Sequence, residues 1–185
     1  MLSLGCVSRG VKLCPRRLGP RAIYRRRDCV KGHLAEIMAR HAEAGRLEWI
    51  GARPARRADL VTPNSIEVLS DGLRGDHAAS GKKAVTLIQA EHLPVIAALA
   101  GRSEVAPSLV RRNLLVSGVN LYALRKAQLR IGSVVVQIEG PCPPCSRMEE
   151  VLGHGGYNAM RGHGGWYASV VTPGEITVGG VISPV

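Results

Sequence analysis

AQLRIGSVVVQIEGPCPPC, Ala127 to Cys145, is the stretch that decides the fold. Leu129 and Ile131 alternate with polar neighbours up to Gly132-Ser133, a dipeptide suited to a tight reversal. Beyond it, Val134–Glu139 is the strongest strand signal in the chain, because three consecutive β-branched residues restrict the backbone to extended conformations. The pattern therefore predicts a hairpin. Proline has no N–H to give to a ladder, so Gly140-Pro141-Cys142-Pro143-Pro144-Cys145 is expected to break the strand. SRMEEVLG then reads as a short helix from about Ser146, ending at Gly153.

The same reading extends outward. Upstream, LEWIG (Leu47–Gly51), SIEVLS (Ser65–Ser70), KAVTLIQ (Lys83–Gln89) and the strand that follows Arg111-Arg112-Asn113 up to Gly118 all have strand patterning. Downstream, WYASVVTPGEITVGGVISPV reads as two or three strands with a turn at Pro173-Gly174. Helical spacing predicts a helix over His33–Ala44, with Leu34, Ile37, Met38 and Ala42 on one face and Gly45 as its stop. A second is expected over Ala90–Gly101, with Pro94 in the first turn. A Gly-rich loop surrounds one helical turn at His154–Gly165. Many short strands and few brief helices predict a mainly β (α+β) fold, a closed or nearly closed barrel of mostly antiparallel strands. The 185 residues contain no Phe, four Tyr and two Trp, so the core must be aliphatic.

The net charge of +11 suggests nucleic acid until it is located. Residues 1–31 hold nine Lys/Arg and one acid, Asp28, which leaves only +3 for the rest of the chain. Residues 1–30 are therefore read as a basic, disordered extension, 31–46 as a helix leading in, and 47–185 as the globular domain. The extension is also Arg-rich and acid-poor in the manner of an organellar transit peptide, and Met38 is an alternative start. Its single aromatic, Tyr24, offers little stacking surface, so nucleic acid is not an expected partner. No run of 18 apolar residues occurs, so no membrane span is expected, and the expected location is the cytoplasm. Three of the five cysteines, Cys6, Cys14 and Cys29, fall in the extension or at its edge, and the body keeps only Cys142 and Cys145. That is no disulfide framework.

A C-x-x-C between strand and helix permits several chemistries. Helix first turns and Arg147 favour a thiolate at Cys145. A thioredoxin-like pair needs a βαβ setting that the pattern lacks, and a zinc site would have to recruit His154 and His163 at unusual spacings. Two inert cysteines, or a thiolate for a soft metal or persulfide sulfur, remain. Arg111, Arg112 and Asn113 precede a strand; alternation would turn one arginine toward a phosphate, and Asn113 offers both donor and acceptor. Asp76 and His77 sit in a glycine-punctuated loop, where His77 read alone is structural.

In order, GLRGDH (Gly72–His77), VTLIQAEHL (Val85–Leu93), RRNLLVSGVNL (Arg111–Leu121), LRIGSVVVQIEG (Leu129–Gly140), CPPCSRMEEVLG (Cys142–Gly153), MRGHGGWYASVV (Met160–Val171) and GEITVGG (Gly174–Gly180) resemble the MOSC family. This domain is named after the C-terminal part of molybdenum cofactor sulfurases, and the resemblance covers roughly residues 47–185. It implies a MOSC-type β-barrel, a molybdenum cofactor (molybdopterin), and Cys145 as catalytic residue and molybdenum ligand. Arg111, Arg112, Asn113, Asp76 and His77 are then the expected cofactor contacts. The implied activity is reduction of N-hydroxylated or N-oxygenated small molecules, with electrons from a donor protein. The alternative is a persulfide sulfur carrier served by a cysteine desulfurase. Pyridoxal phosphate enters by family association only; covalent binding in this chain is not expected, since 185 residues leave no room for a desulfurase domain.

Overall fold

The computed structural model describes residues 26–77 and 80–185, so the reading of most of the basic extension lies outside the described residues. The chain divides into two units between Arg40 and His41. In the first, α1 runs Arg26–Met38. The helix expected over His33–Ala44 thus starts earlier and stops at Met38, the good helix formers Arg and Lys carrying it upstream. Gly45 opens strand β1 (Gly45–Ile50) instead of closing a helix. A Cβ there would lie 2.5 Å from Val119 Cγ1 and 2.7 Å from Ser117 O, so close approach of backbones is what requires glycine.

Seven strands of the second unit close into the expected barrel, in the order β1, β10 (Val181–Pro184), β6 (Gln128–Ile131), β7 (Val134–Pro141), β8 (Trp166–Thr172), β4 (Val85–Gln89) and β5 (Leu114–Ser117), which returns to β1. The decisive hairpin forms as read: Leu129 faces Val136 and Ile131 faces Val134 across a turn at Gly132-Ser133. All barrel pairs are antiparallel except β4–β5. A parallel pair needs a long crossover, and α2 (His92–Leu99) and α3 (Pro107–Val110) supply it.

A second sheet, not foreseen in the sequence, has the order β3 (Gly72–Leu73), β2 (Ser65–Leu69), β9 (Gly174–Thr177). Pro173-Gly174 is therefore no hairpin turn. It hands the chain from β8, which pairs with β4 and β7, to β9, which pairs with β2. The ladder break also comes later than expected: Pro141 still pairs with Trp166, and Cys142 N donates to Gly165 O at 2.8 Å.

The barrel interior is filled by aliphatic side chains, among them Leu47, Leu87, Leu114, Leu129, Ile131 and Ile138, each at most 1% exposed. Ile88 and Leu115 point outward from β4 and β5 into a second cluster with Ile96, Val110, Met148 and Leu152. β4 is consequently buried at every position, as expected of a strand covered on both faces. Met148 and Leu152 belong to α4 (Arg147–Leu152), so this outer cluster anchors the segment that carries the two cysteines.

Candidate functional site

Strand β7 delivers the chain to Cys142-Pro143-Pro144-Cys145, and α4 takes it away. The segment is pinned at both ends. Cys142 N holds Gly165 O, and Cys145 O accepts from Met148 N at 2.9 Å. Gly165 has φ +85°, and a Cβ on it would run into the Leu87 carbonyl, so only glycine lets this loop lie on β4. Both thiols are free, Cys142 half-buried and Cys145 exposed.

Cys145 opens onto a cleft of about 350 Å³ whose walls carry Arg53, Arg56, Arg57, Arg111 and Arg147. Arg53 is the best fixed of these. Its Nε and Nη2 bond the Asp76 carboxylate at 3.0 and 2.7 Å, and its Nη2 also reaches Asn113 Oδ1 at 3.1 Å. The Asp76 side chain is fully buried, and its Oδ1 accepts from Arg53 N as well. Asn113 is 0% exposed, and its Oδ1 accepts from Thr86 N and Thr86 Oγ1 while its Nδ2 donates to Gly51 O. Asp76 and Asn113 therefore have no free face for a ligand; they hold Arg53, which can meet one. His77 donates its N–H to Arg53 O at 2.6 Å and lines the cleft with an exposed ring.

Arg111 and Arg112 are not on a strand, since β5 begins at Leu114. Arg111 caps α3 in a left-handed conformation, φ +55°, and this twist, not strand alternation, sends the two side chains apart. Arg111 enters the cleft and bonds Ala58 O through Nη1 at 2.9 Å. Partial burial lowers its pKa from the usual arginine value, Arg147 and Arg53 lower it further, and Asp59 and Cys145 oppose the shift. Arg57, another wall residue, also has positive φ, +66°. Such backbone costs roughly 1–3 kcal/mol for a non-glycine residue and concentrates at functional sites.

Arg112 lies elsewhere, 7% exposed, with Nε donating to Gly164 O at 2.6 Å and Nη1 to Val110 O at 3.2 Å. Its Nη2 is buried without a partner. Burial lowers its pKa, and the sulfurs of Cys142 and Cys145, when ionised, oppose that shift. Among the described residues it has no carboxylate partner. A buried cation so placed is costly unless an anion compensates it.

The structure thus gathers Cys145, Arg111 and His77 at one cleft, turns Arg112 toward the cysteines from within, and leaves Asp76 and Asn113 as supports. Sequence reasoning placed Arg147 beside Cys145 but missed Arg53, Arg56 and Arg57 as a wall. The signal for these three was the basic stretch Ala52–Val61, which carries three arginines within five residues. A zinc arrangement does not form: no three His, Cys, Asp or Glu side chains come together among the described residues. His163 stacks edge-on against His92, 5.3 Å between ring centres, and His154 lies 3.6 Å from Glu149. The βαβ setting of a thioredoxin-like pair does not form either, because β7 has antiparallel neighbours on both sides.

Among solved structures, the YuaD protein of Bacillus subtilis is similar with a TM-score of 0.66 at 16% identity, over 76% of this chain and 94% of that one. YiiM from Escherichia coli gives 0.59 at 21% identity, over 76% and 69%. YiiM from Geobacillus stearothermophilus gives 0.63 at 17% identity, over 76% and 75%. At these identities the likeness is one of fold. No curated protein matches the chain. The MOSC domain model, however, matches residues 74–183. That span is more than half of the sequence, runs from β4 into β10 and includes the cysteine segment, so the chain belongs to the MOSC domain family, which is associated with the molybdenum cofactor.

Proposed function

We propose that the cleft beside Cys145 holds a molybdenum cofactor, and that the protein reduces N-hydroxylated or N-oxygenated small molecules. The observation that carries this reading is a soft thiol at the edge of a cavity walled by five arginines, one of which, Arg147, has a buried and unpartnered Nε. A thiolate suits a soft metal, and planar guanidinium forks suit a phosphate. Cys145 would hold the metal, and Arg53, Arg111 and Arg147 the pterin phosphate. Bound there, the cofactor supplies a two-electron redox centre. Two electrons and two protons convert N–OH into N–H and water, and the electrons come from a separate donor protein. Arg53 enters the site already oriented by Asp76 and Asn113, so little side-chain entropy is lost when it meets an anion.

The exposure of Cys145 favours a second reading, in which it carries persulfide sulfur from a cysteine desulfurase. Elemental and pterin analysis of protein from a molybdenum-replete host separates the two. The expected result is about one molybdenum and one pterin per chain. Protein without molybdenum but with cyanide-releasable sulfur would favour the carrier, and the absence of both would overturn the two readings together.

Arg112→Lys keeps the charge and loses the planar fork. It is expected to lower molybdenum retention, because a lysine cannot bond Gly164 O and Val110 O while facing the cysteines. Equal molybdenum content in variant and parent would remove Arg112 from the site.

A further inference from the structure

The protein has only six aromatic residues of the Phe, Tyr and Trp type, and its two cores are almost wholly aliphatic. Four of the six, Tyr122, Tyr157, Trp166 and Tyr167, line one cavity of about 590 Å³. Trp49 packs against the outer core, and Tyr24 lies outside the described residues. Of the four, only Trp166 also belongs to a core cluster, so the three tyrosines at the cavity are not part of either hydrophobic core. Tyr122 is 70% exposed, yet its ring stands edge-on to that of Trp166, with centres 6.0 Å apart and planes at 71°. Trp166 itself is 7% exposed, so the cavity floor is a fixed indole and its rim an accessible phenol.

The charge of the cavity points one way. Arg125 and Arg161 line it, and no acidic residue does. Among the described residues neither guanidinium has a carboxylate or other hydrogen-bond partner. The cysteine segment contributes Pro143 and Pro144, which have no N–H to offer a ligand. Ring faces and guanidinium groups are therefore the cavity's chief means of recognition. Its volume lies within the ~300–1,000 Å³ of small-molecule sites.

We propose that this cavity binds a small planar aromatic anion, an aryl carboxylate or sulfonate of one or two fused rings. Its ring meets Tyr122, Tyr157 and Trp166, and its acid group meets Arg125 and Arg161. The site is separate from the arginine cleft: the two share no lining residue, with Cys142 on one and Cys145 on the other. The C-P-P-C segment is thus a partition between two anion sites of different character. The inference stands independently of any cofactor.

Calorimetric titration of the full-length protein with 2-naphthoate, and with its neutral isostere 2-naphthamide, tests it. Naphthoate is expected to bind, and naphthamide to bind roughly tenfold or more weakly, as loss of a charge-assisted hydrogen bond requires. Arg161→Gln and Arg125→Gln, both at exposed positions, should weaken naphthoate and leave naphthamide unchanged. Tyr122→Ala should weaken both ligands, and Arg111→Gln, in the other cleft, neither. Absence of naphthoate binding at millimolar concentration overturns the proposal, as does equal binding of the two ligands. Naphthoate affinity that falls with Arg111→Gln but not with Arg161→Gln also overturns it, placing the anion in the arginine cleft.

Discussion

Cys145→Ser is expected to abolish molybdenum retention, together with any reductase or sulfur-carrying activity, while Cys142→Ser keeps at least part of each. The two thiols sit in different surroundings. Cys145 is exposed at the arginine cleft beside Arg111, whereas Arg112, outside that cleft, interacts with both thiols and with Cys142 the more. Cys142 is half-buried and lines the aromatic cavity. A serine hydroxyl is a far poorer ligand for a soft metal and cannot form a persulfide. Neither side chain belongs to the hydrophobic core, and the backbone bonds of Cys142 N and Cys145 O do not involve the thiols. Both variants should therefore fold with nearly unchanged melting temperatures. Metal content and activity measured side by side provide the check, and equal loss in the two variants would sink the single-cysteine mechanism.

Asn113→Ala is expected to cost roughly 3–5 kcal/mol of stability, the largest effect of any single polar substitution we foresee. Asn113 is fully buried where three pieces of the barrel wall meet. Its backbone N–H bonds Thr86 O on β4, and its carbonyl accepts from Gly51 N just beyond β1. Its side chain bonds Thr86, Gly51 and Arg53. Alanine keeps the backbone bonds and removes the rest, leaving Thr86 N and Gly51 O short of side-chain partners where water does not readily reach; each such loss costs about 1–3 kcal/mol. The unit of residues 41–185 should then melt roughly 10 °C lower. Arg53 would keep Asp76 and lose its second anchor, so anion binding in the cleft should weaken as well. Chemical denaturation showing a loss below about 1 kcal/mol would mean that the asparagine is not the clamp its contacts describe.

Much of the barrel was legible because a strand's side-chain alternation and its turn residues are local properties. Val134–Glu139, the Gly132-Ser133 reversal and the α2 stop near Gly101 follow from neighbours within a few residues. Composition likewise announced an aliphatic core, since a chain without Phe has little else to bury. Cys145 as the residue to watch rested on motif order together with the strand-to-helix setting of C-x-x-C.

Other features depended on distant packing. Nothing local says that β4 and β5 run parallel, because that direction follows from where α2 and α3 come to rest on the barrel. Nor does alternation assign Arg111, Arg112 and Asn113 correctly: one left-handed residue, Arg111, resets the chain before the strand starts. The cleft unites Arg53, His77, Arg111 and Cys145, and its key polar contact joins residues 60 apart in sequence. Local periodicity reports which face a residue takes within a strand, and for the Leu129–Glu139 hairpin the sequence alone was enough. Which faces meet, and hence which charges share a site, is set by the closing of the barrel, where the burial of aliphatic surface brings distant segments together and each buried polar group must find its partner there.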